Sequence, residues 1–219
     1  MRIAAKRPPE RDELREAEEF GYEHVELYLE KQHLDRYEVA VEHLEDTDLE
    51  IVSVHTPHVP RSEREYLQRA AYLADRCDAL LVFHSGQIPL RWSLEEGRKL
   101  GYDRVAYEAN PGVSRHAIEN IVLGQNRKLV LDAAHLYIAS KDFEEDFAAL
   151  LEHAAHVHLC DATLLEDGLG FGEGGMDVER MIEQVLDSSY DGDVVLEVMP
   201  EHQEKAKQVF ERVREGYDG

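Results

Sequence analysis

Acidic side chains end several short apolar segments in the second half of this sequence. Glu108 ends VAYE, Asp132 ends LVLD and Glu197 ends VVLE, while His158 lies within HVHL. If these segments are parallel strands of one sheet, the three carboxylates would meet where an unpaired charge is very costly. A divalent cation removes that repulsion, and three carboxylates with one imidazole suit Mn²⁺, Mg²⁺, Zn²⁺ or Co²⁺ equally well. The sequence therefore predicts a divalent-metal site at these four residues.

Histidines occupy comparable positions elsewhere in the chain. His55 ends SVH, His84 ends LVFH, and His135 follows Asp132 by three residues. A lone histidine at a strand end is more often a hydrogen-bonded core residue, and Asp132 could simply cap the following turn. Polar residues at six consecutive strand ends favour a shared site, so the three histidines are candidates for a second metal or for substrate contact. Other polar or thiol-bearing residues nearby are interpreted as structural: His24, Glu26, His33, His58, His156 and Cys160.

Eight β-rich segments that could position these residues alternate with amphipathic stretches, which is typical of an α/β protein with a parallel sheet. We predict a single (β/α)8 TIM barrel with short loops, formed by residues 1–219 as one domain. An eight-stranded doubly wound sheet is the alternative, but its site would be concentrated at one switch point. The predicted strands are residues 2–5, 24–27, 51–55, 79–84, 104–108, 128–132, 156–160 and 194–198.

Apolar residues at spacings of three and four predict the helices between these strands. Ser62 with Glu65 resembles a capping box, and Ser114 is a candidate N-cap. A glycine-rich stretch, residues 162–177, is predicted to be a functional loop. The predicted helices are residues 9–20, 35–44, 61–77, 114–123, 143–153, 178–186 and 202–216, with a short one at 92–100.

The composition is strongly acidic, with 47 acidic and 24 basic residues and a net charge of −23. A surface of this kind suggests adaptation to high salt, and at ordinary salt it repels nucleic acid and anionic membranes. Molar salt would screen that repulsion, so charge alone does not exclude a DNA substrate. Without an apolar segment long enough to span a bilayer, and with only two distant cysteines, a cytoplasmic protein without a disulfide is expected.

The segments LVFHSG, LVLDAAH, HVHLCD, GFGEGGMD and VVLEV, in this order, resemble the xylose-isomerase-like TIM-barrel superfamily. The superfamily includes sugar and sugar-phosphate isomerases and epimerases. The resemblance implies that Glu108, Asp132, His158 and Glu197 bind one divalent metal ion, which stabilises an enediolate-like state of a small sugar-like substrate. It also implies that Glu108 and Glu197 act as catalytic base and acid, and that His135 contacts substrate oxygens.

The same superfamily contains apurinic-site endonucleases of the endonuclease IV type, which use two or three zinc ions. His55, His84 and His135 match further ligand positions of that branch. The Asp-x-His that precedes its Gly-x-Gly is absent here, because Glu166-Asp167-Gly168 precedes Gly172-Glu173-Gly174. An isomerase or epimerase is therefore the first expectation and a phosphoesterase the alternative, followed by a non-catalytic metal- or ligand-binding barrel. Homo-oligomers occur among relatives and are possible here.

Overall fold

A computed structural model describes residues 1–84 and 90–217 of the chain. Eight parallel strands follow one another around a closed barrel in sequence order, with helices between them. The predicted (β/α)8 TIM barrel is thereby confirmed. The strands are β1 Arg2–Arg7, β2 His24–Tyr28, β3 Glu50–His55, β4 Leu80–His84, β5 Val105–Glu108, β6 Lys128–Asp132, β7 Ala154–Leu159 and β8 Asp193–Leu196.

The helices largely follow the predicted order but differ in their ends. They are α1 Arg11–Glu19, α2 Lys31–Asp35, α3 Tyr37–Glu45, α4 Glu65–Arg76, α5 Leu90–Gly97, α6 Arg115–Ile121, α7 Ala133–Ala139, α8 Phe143–Leu151, α9 Val178–Asp187 and α10 Gln203–Tyr217. Short 3-10 turns precede α4 and α10. Within the described residues, no helix has the length and apolar character needed to cross a membrane.

The backbone contacts divide the chain into two compact units, of which the first comprises residues 4–110. Its strands pair in parallel from β1 to β5, with Tyr28 opposite His55 and His84 opposite Glu108. The interior of β4 is apolar on both faces, because Leu81, Val82 and Phe83 are all fully buried. This register places the polar residues that end β4 and β5 at the same depth.

The second unit comprises residues 1–3 and 111–219. Strands β6, β7 and β8 pair in parallel, with Asp132 opposite His158 and Leu159 opposite Leu196. The peptide N–H of Glu197 continues the ladder past β8 by donating to the Leu159 carbonyl at 2.8 Å. The ends of these three strands therefore bring polar side chains to one level.

Three local predictions require correction. The helix predicted over residues 35–44 begins two residues later, as α3, and the short helix α2 that precedes it across a break at Arg36 was not predicted. Helix α7 was not predicted, since its apolar residues follow β6 directly and extend the strand-like pattern. Ser62 lies in a 3-10 turn and does not cap α4, whereas Ser114 caps α6 as predicted by accepting from the Ala117 N–H.

Candidate metal centre

Strands β6, β7 and β8 bring three predicted ligands together in the second unit. Asp132 is the last residue of β6, His158 lies near the end of β7, and Glu197 follows β8. Each contributes one ligand atom, and these atoms lie within 4.8 Å of one another. Asp132 and His158 are almost completely buried, while the Glu197 side chain is 25% exposed. The three side chains thus converge with one carboxylate accessible to solvent.

Asp132 combines a structural contact with a position in this group. Its Oδ1 accepts the peptide N–H of His135 at 2.9 Å, which caps the first turn of α7. Its Oδ2 lies 3.4 Å from His135 Nδ1. A single carboxylate therefore both starts α7 and faces the other two donors, so the capping role and the ligand role are compatible.

His135 lies between two carboxylates. Its Nδ1 faces Asp132, and its Nε2 lies 3.2 Å from Asp167 Oδ2 in the glycine-rich stretch. The hydrogen bond from His135 is the largest cause that lowers the pKa of the Asp167 carboxyl below its ordinary value. Asp167 could not be predicted from the sequence, because no local sequence signal distinguishes it from the other acidic residues of the loop.

Glu197 is positioned by a contact of its side chain and by hydrogen bonds to the neighbouring backbone. Its Oε2 lies 2.6 Å from His158 Nδ1, closer than an ordinary N–H···O hydrogen bond. The side-chain amide of Gln203, fully buried at the start of α10, donates to the Leu196 and Val198 carbonyls at 2.9 Å each. These carbonyls flank Glu197, so Gln203 fixes the backbone from which the carboxylate projects. The amphipathic pattern of α10 provides no signal for this role.

In the first unit, Glu108 at the end of β5 contacts a histidine from β3. Its Oε2 lies 3.1 Å from His55 Nε2, and both side chains are at least 96% buried. His55 Nδ1 lies 3.0 Å from the Thr56 carbonyl. The His55 imidazole therefore lies between the Thr56 carbonyl and the Glu108 carboxylate.

His55 also belongs to a group of three imidazoles. His84 ends β4 and lies with its ring centroid 5.4 Å from that of His55. His58, three residues past β3, stacks on His84 with ring centroids 4.3 Å apart. This group contains His55 and His84, two of the histidines predicted for a second site, together with His58. His135 belongs to the second unit, where it contacts Asp132 and Asp167.

The glycine-rich stretch is organised by Asp161, which is fully buried. Its two oxygens accept four peptide N–H groups, those of Ala162, Gly172, Gly174 and Met176, at 2.8–3.0 Å. Four donors satisfy a buried carboxylate without a metal ion. Asp161 therefore orders the loop that carries Asp167.

Glu26 and Cys160, both interpreted as structural from the sequence, are buried. Glu26 is fully buried and lies 3.2 Å from Lys6 Nζ, and it accepts the Ser53 hydroxyl at 2.7 Å. Burial raises the pKa of the Cys160 thiol well above its ordinary value, which makes it a poor nucleophile.

Comparison with known proteins agrees with this architecture. Residues 107–215 match the sequence model of the family described as xylose isomerase-like TIM barrel. A search of curated protein sequences finds no significant match. The family match begins within β5 and ends within α10, and this part of the chain contains all four predicted metal ligands.

Solved structures with the same fold cover nearly the whole chain. A D-tagatose 3-epimerase-like protein is 19% identical with a TM-score of 0.70, covering 98% of this chain and 97% of its own. A Thermus thermophilus protein from a zinc chloride soak is 21% identical with a TM-score of 0.77, covering 99% of each chain. An AP endonuclease, family 2, from Brucella melitensis is 18% identical with a TM-score of 0.66, covering 96% and 98%. Identities this low establish the fold alone.

Proposed function

We propose that this chain, a xylose isomerase-like TIM barrel by its fold and its family match, is a divalent-metal-dependent isomerase or epimerase of a small sugar or sugar phosphate. The observation that carries the proposal is the convergence of Asp132, His158 and Glu197 at the ends of three adjacent strands. In barrels of this type the carboxyl ends of the strands carry the active site. The sugar epimerases among the structural neighbours support the reaction class.

Glu108 is the fourth proposed ligand. It ends β5, which neighbours β6 in the barrel, and it is fully buried. Buried carboxylates on neighbouring strand ends are costly unless a cation compensates their charge. Three carboxylates and one imidazole fit Mn²⁺, Zn²⁺, Mg²⁺ or Co²⁺, and the donor set does not distinguish among these ions.

The two glutamates have different environments, which suits them to different proton-transfer roles. When bound, the divalent ion would act as a Lewis acid toward the substrate carbonyl and neighbouring hydroxyl. Glu197 is partly exposed, so we assign it to exchange the proton on the carbon next to the carbonyl. Glu108 is buried against His55 and is assigned the opposite face of the substrate. His135, oriented by Asp132 and Asp167, is positioned to contact a substrate oxygen.

A phosphoesterase of the apurinic-endonuclease type is the second candidate function. The observation that favours it is the contact of His55 Nε2 with Glu108 Oε2 at 3.1 Å, because imidazole and carboxylate are both groups that would hold a zinc ion. A second metal ion would supply charge stabilisation for in-line displacement at phosphorus. The net charge of −23 opposes duplex DNA at ordinary salt, which makes this the weaker candidate.

Exchange of substrate hydrogen with solvent tests the proposal. The metal-loaded protein is incubated in D₂O with a panel of ketoses and ketose phosphates, and proton NMR follows loss of the signal next to the carbonyl. We expect exchange that Glu197→Gln slows by about 10²–10⁴-fold, while the matched surface variant Glu201→Gln retains it.

The other outcomes separate the alternatives. Nicking of abasic-site DNA without ketose exchange would transfer the assignment to the phosphoesterase. Metal binding with neither reaction would contradict both enzyme assignments and leave a non-catalytic metal-binding barrel. Retained exchange in Glu197→Gln would remove the role assigned to that glutamate.

A further inference from the structure

We propose that the substrate is an uncharged sugar with an apolar substituent, namely an alkyl or aryl glycoside that carries a ketone on its ring. The inference rests on the proposed function and narrows its substrate class. It is carried by Leu164, Leu165 and Met199, whose side chains are 67%, 97% and 56% exposed. These three residues, called the apolar rim, lie in the two loops of the second unit that follow β7 and β8.

Leu164 and Leu165 form the tip of an ordered turn. The Thr163 N–H donates to the Glu166 carbonyl at 2.8 Å, and the Thr163 hydroxyl accepts the Leu165 N–H at 3.2 Å. At the base of the turn, Asp161 accepts four peptide N–H groups of the same loop. The two leucines are therefore held in solvent by a fixed backbone, and a ligand that covers them need not order this part of the chain.

The apolar rim lies close to the residues assigned to the reaction. Leu165 precedes Asp167 by two residues and Met199 follows Glu197 by two, so the Cα atoms of each pair are at most about 7 Å apart. Asp167 in turn lies 3.2 Å from His135 Nε2. A substituent on a sugar bound at these residues would therefore reach the rim.

Contacts between the two loops keep the apolar rim together. His202 Nε2 lies 3.4 Å from Glu173 Oε2, and Lys205 Nζ donates to the Phe171 carbonyl at 2.9 Å. Both contacts join the loop after β7 to the residues that follow β8. The leucine tip and Met199 thus belong to linked segments, so one ligand can cover both.

The charge of the same loops disfavours a phosphorylated substrate. The segments that follow β5, β7 and β8, residues 109–114, 160–177 and 197–202, contain no Lys or Arg. Arg and Lys are the side chains that usually bind phosphate, whereas Glu166 and Asp167 would repel a dianion. An uncharged substituent avoids this repulsion and gains free energy by covering apolar side chains.

A small molecule fits the apolar rim better than a macromolecule. Three side chains offer far less than the roughly 800 Å² that each partner buries in a stable protein interface. A second copy would also bring its own net charge of −23 against the acidic residues beside the rim. Anionic membranes are disfavoured by the same repulsion.

A glycoside restricts the position of the carbonyl group. Its anomeric carbon is bonded to the oxygen of the substituent, so the ring does not open to a ketose and the ketone must be on another ring carbon. The C–H bond next to that ketone breaks, and its proton moves to Glu197 in the proposed reaction. Return of a proton to the same carbon restores the ketone, so no oxidant or reductant is consumed.

Matched ring ketones test the inference. The probes are phenyl and methyl β-D-glucopyranoside, each oxidised to the ketone at carbon 3, and fructose 6-phosphate. Ligand-observed NMR with the Mn²⁺-free protein measures Kd, and exchange in D₂O with the Mn²⁺-loaded protein measures kcat/KM. We expect the phenyl ketone to bind about tenfold or more tightly than either other probe. Replacing both leucines, Leu164→Ser with Leu165→Ser, should abolish the preference for phenyl over methyl. Tyr72→Ser, which removes an exposed apolar side chain of α4, should keep it.

Three results would overturn the inference: equal affinity for the phenyl and methyl ketones, an unchanged preference after replacement of both leucines, or tighter binding of fructose 6-phosphate. A dimer that dissociates on the same replacement, seen by sedimentation, would assign the rim to a second copy instead. Both leucines are exposed, so their replacement should leave folding intact, which thermal unfolding verifies. Selective binding without exchange would contradict the proposed function alone, whereas exchange without selectivity would contradict only the role of the rim.

Discussion

Replacement of Asp132 by Asn separates its two contacts. The Asn side chain can still accept the His135 N–H at the start of α7, because Asn and Asp are equally good N-caps. It cannot supply the negative charge that the proposed metal site requires. We therefore expect Asp132→Asn to retain its stability without metal but to lose stabilisation by metal. Asp132→Ala should lose both.

The magnitudes follow from these contacts. Loss of the cap in Asp132→Ala should cost about 1 kcal/mol. A divalent ion at 100 times its dissociation constant stabilises the folded chain by about 2.7 kcal/mol. For a chain of this length, that corresponds to an increase in Tm of about 5–11 °C. Asp132→Asn should show almost none of this increase.

Thermal unfolding with and without Mn²⁺ or Zn²⁺ measures both effects. Asp177 provides a matched control, since it is exposed and caps α9 by accepting the Arg180 N–H at 3.1 Å. Asp177→Ala should lose a comparable amount of stability yet keep the full metal-dependent increase in Tm. A full metal-dependent increase in Asp132→Asn would refute the assignment of Asp132 as a ligand.

Four further predictions concern the surroundings of the site and the charge of the chain. Gln203→Leu should lower the free energy of unfolding by about 1–3 kcal/mol, because the Leu196 and Val198 carbonyls lose their donor. It should also weaken metal binding. Urea titration measures the loss of stability, and calorimetry measures the metal affinity. Asp161→Asn should lower the free energy of unfolding by about 2–4 kcal/mol, because an amide NH₂ would face peptide donors. Limited proteolysis should then cut residues 162–177. Resistance to the protease would contradict the loop-ordering role of Asp161. Burial raises the pKa of Cys77 to about 11, so the protonated thiol persists to high pH: at pH 8, iodoacetamide should alkylate it about two orders of magnitude more slowly in the native than in the unfolded chain. The native rate should increase tenfold per pH unit up to that pKa, as mass spectrometry can follow. Finally, self-repulsion at a net charge of −23 should make the urea midpoint increase with KCl; a midpoint independent of KCl would contradict the proposed adaptation to high salt.

Much of the barrel could be predicted from the sequence, because its signals are local. Buried parallel strands are apolar on both faces, and Leu81 to Phe83 fit that pattern fully. The strand ends at His55, His84, Glu108 and Asp132 agree with the predicted ends. A polar residue that ends an apolar run is visible without any knowledge of what it contacts.

The errors in the helices also have local causes. The short helix α2 was missed because it begins at a capping box formed by Glu30 and His33. An acidic residue and a histidine at this spacing form a weaker signal than Ser with Glu. Helix α7 begins without a connecting loop, so its apolar residues look like a continuation of β6.

The candidate site could likewise be predicted only in part from the sequence. Sequence alone indicated Glu108, Asp132, His158 and Glu197, because acidic or basic groups interrupt segments that should otherwise be apolar. Only the tertiary structure brought Asp167 to His135, Gln203 to the backbone around Glu197, and His58 onto the ring of His84. These contacts depend on how loops and helix starts return to the strand ends. Such geometry is set by long-range packing, which leaves no periodic or compositional signal in the chain.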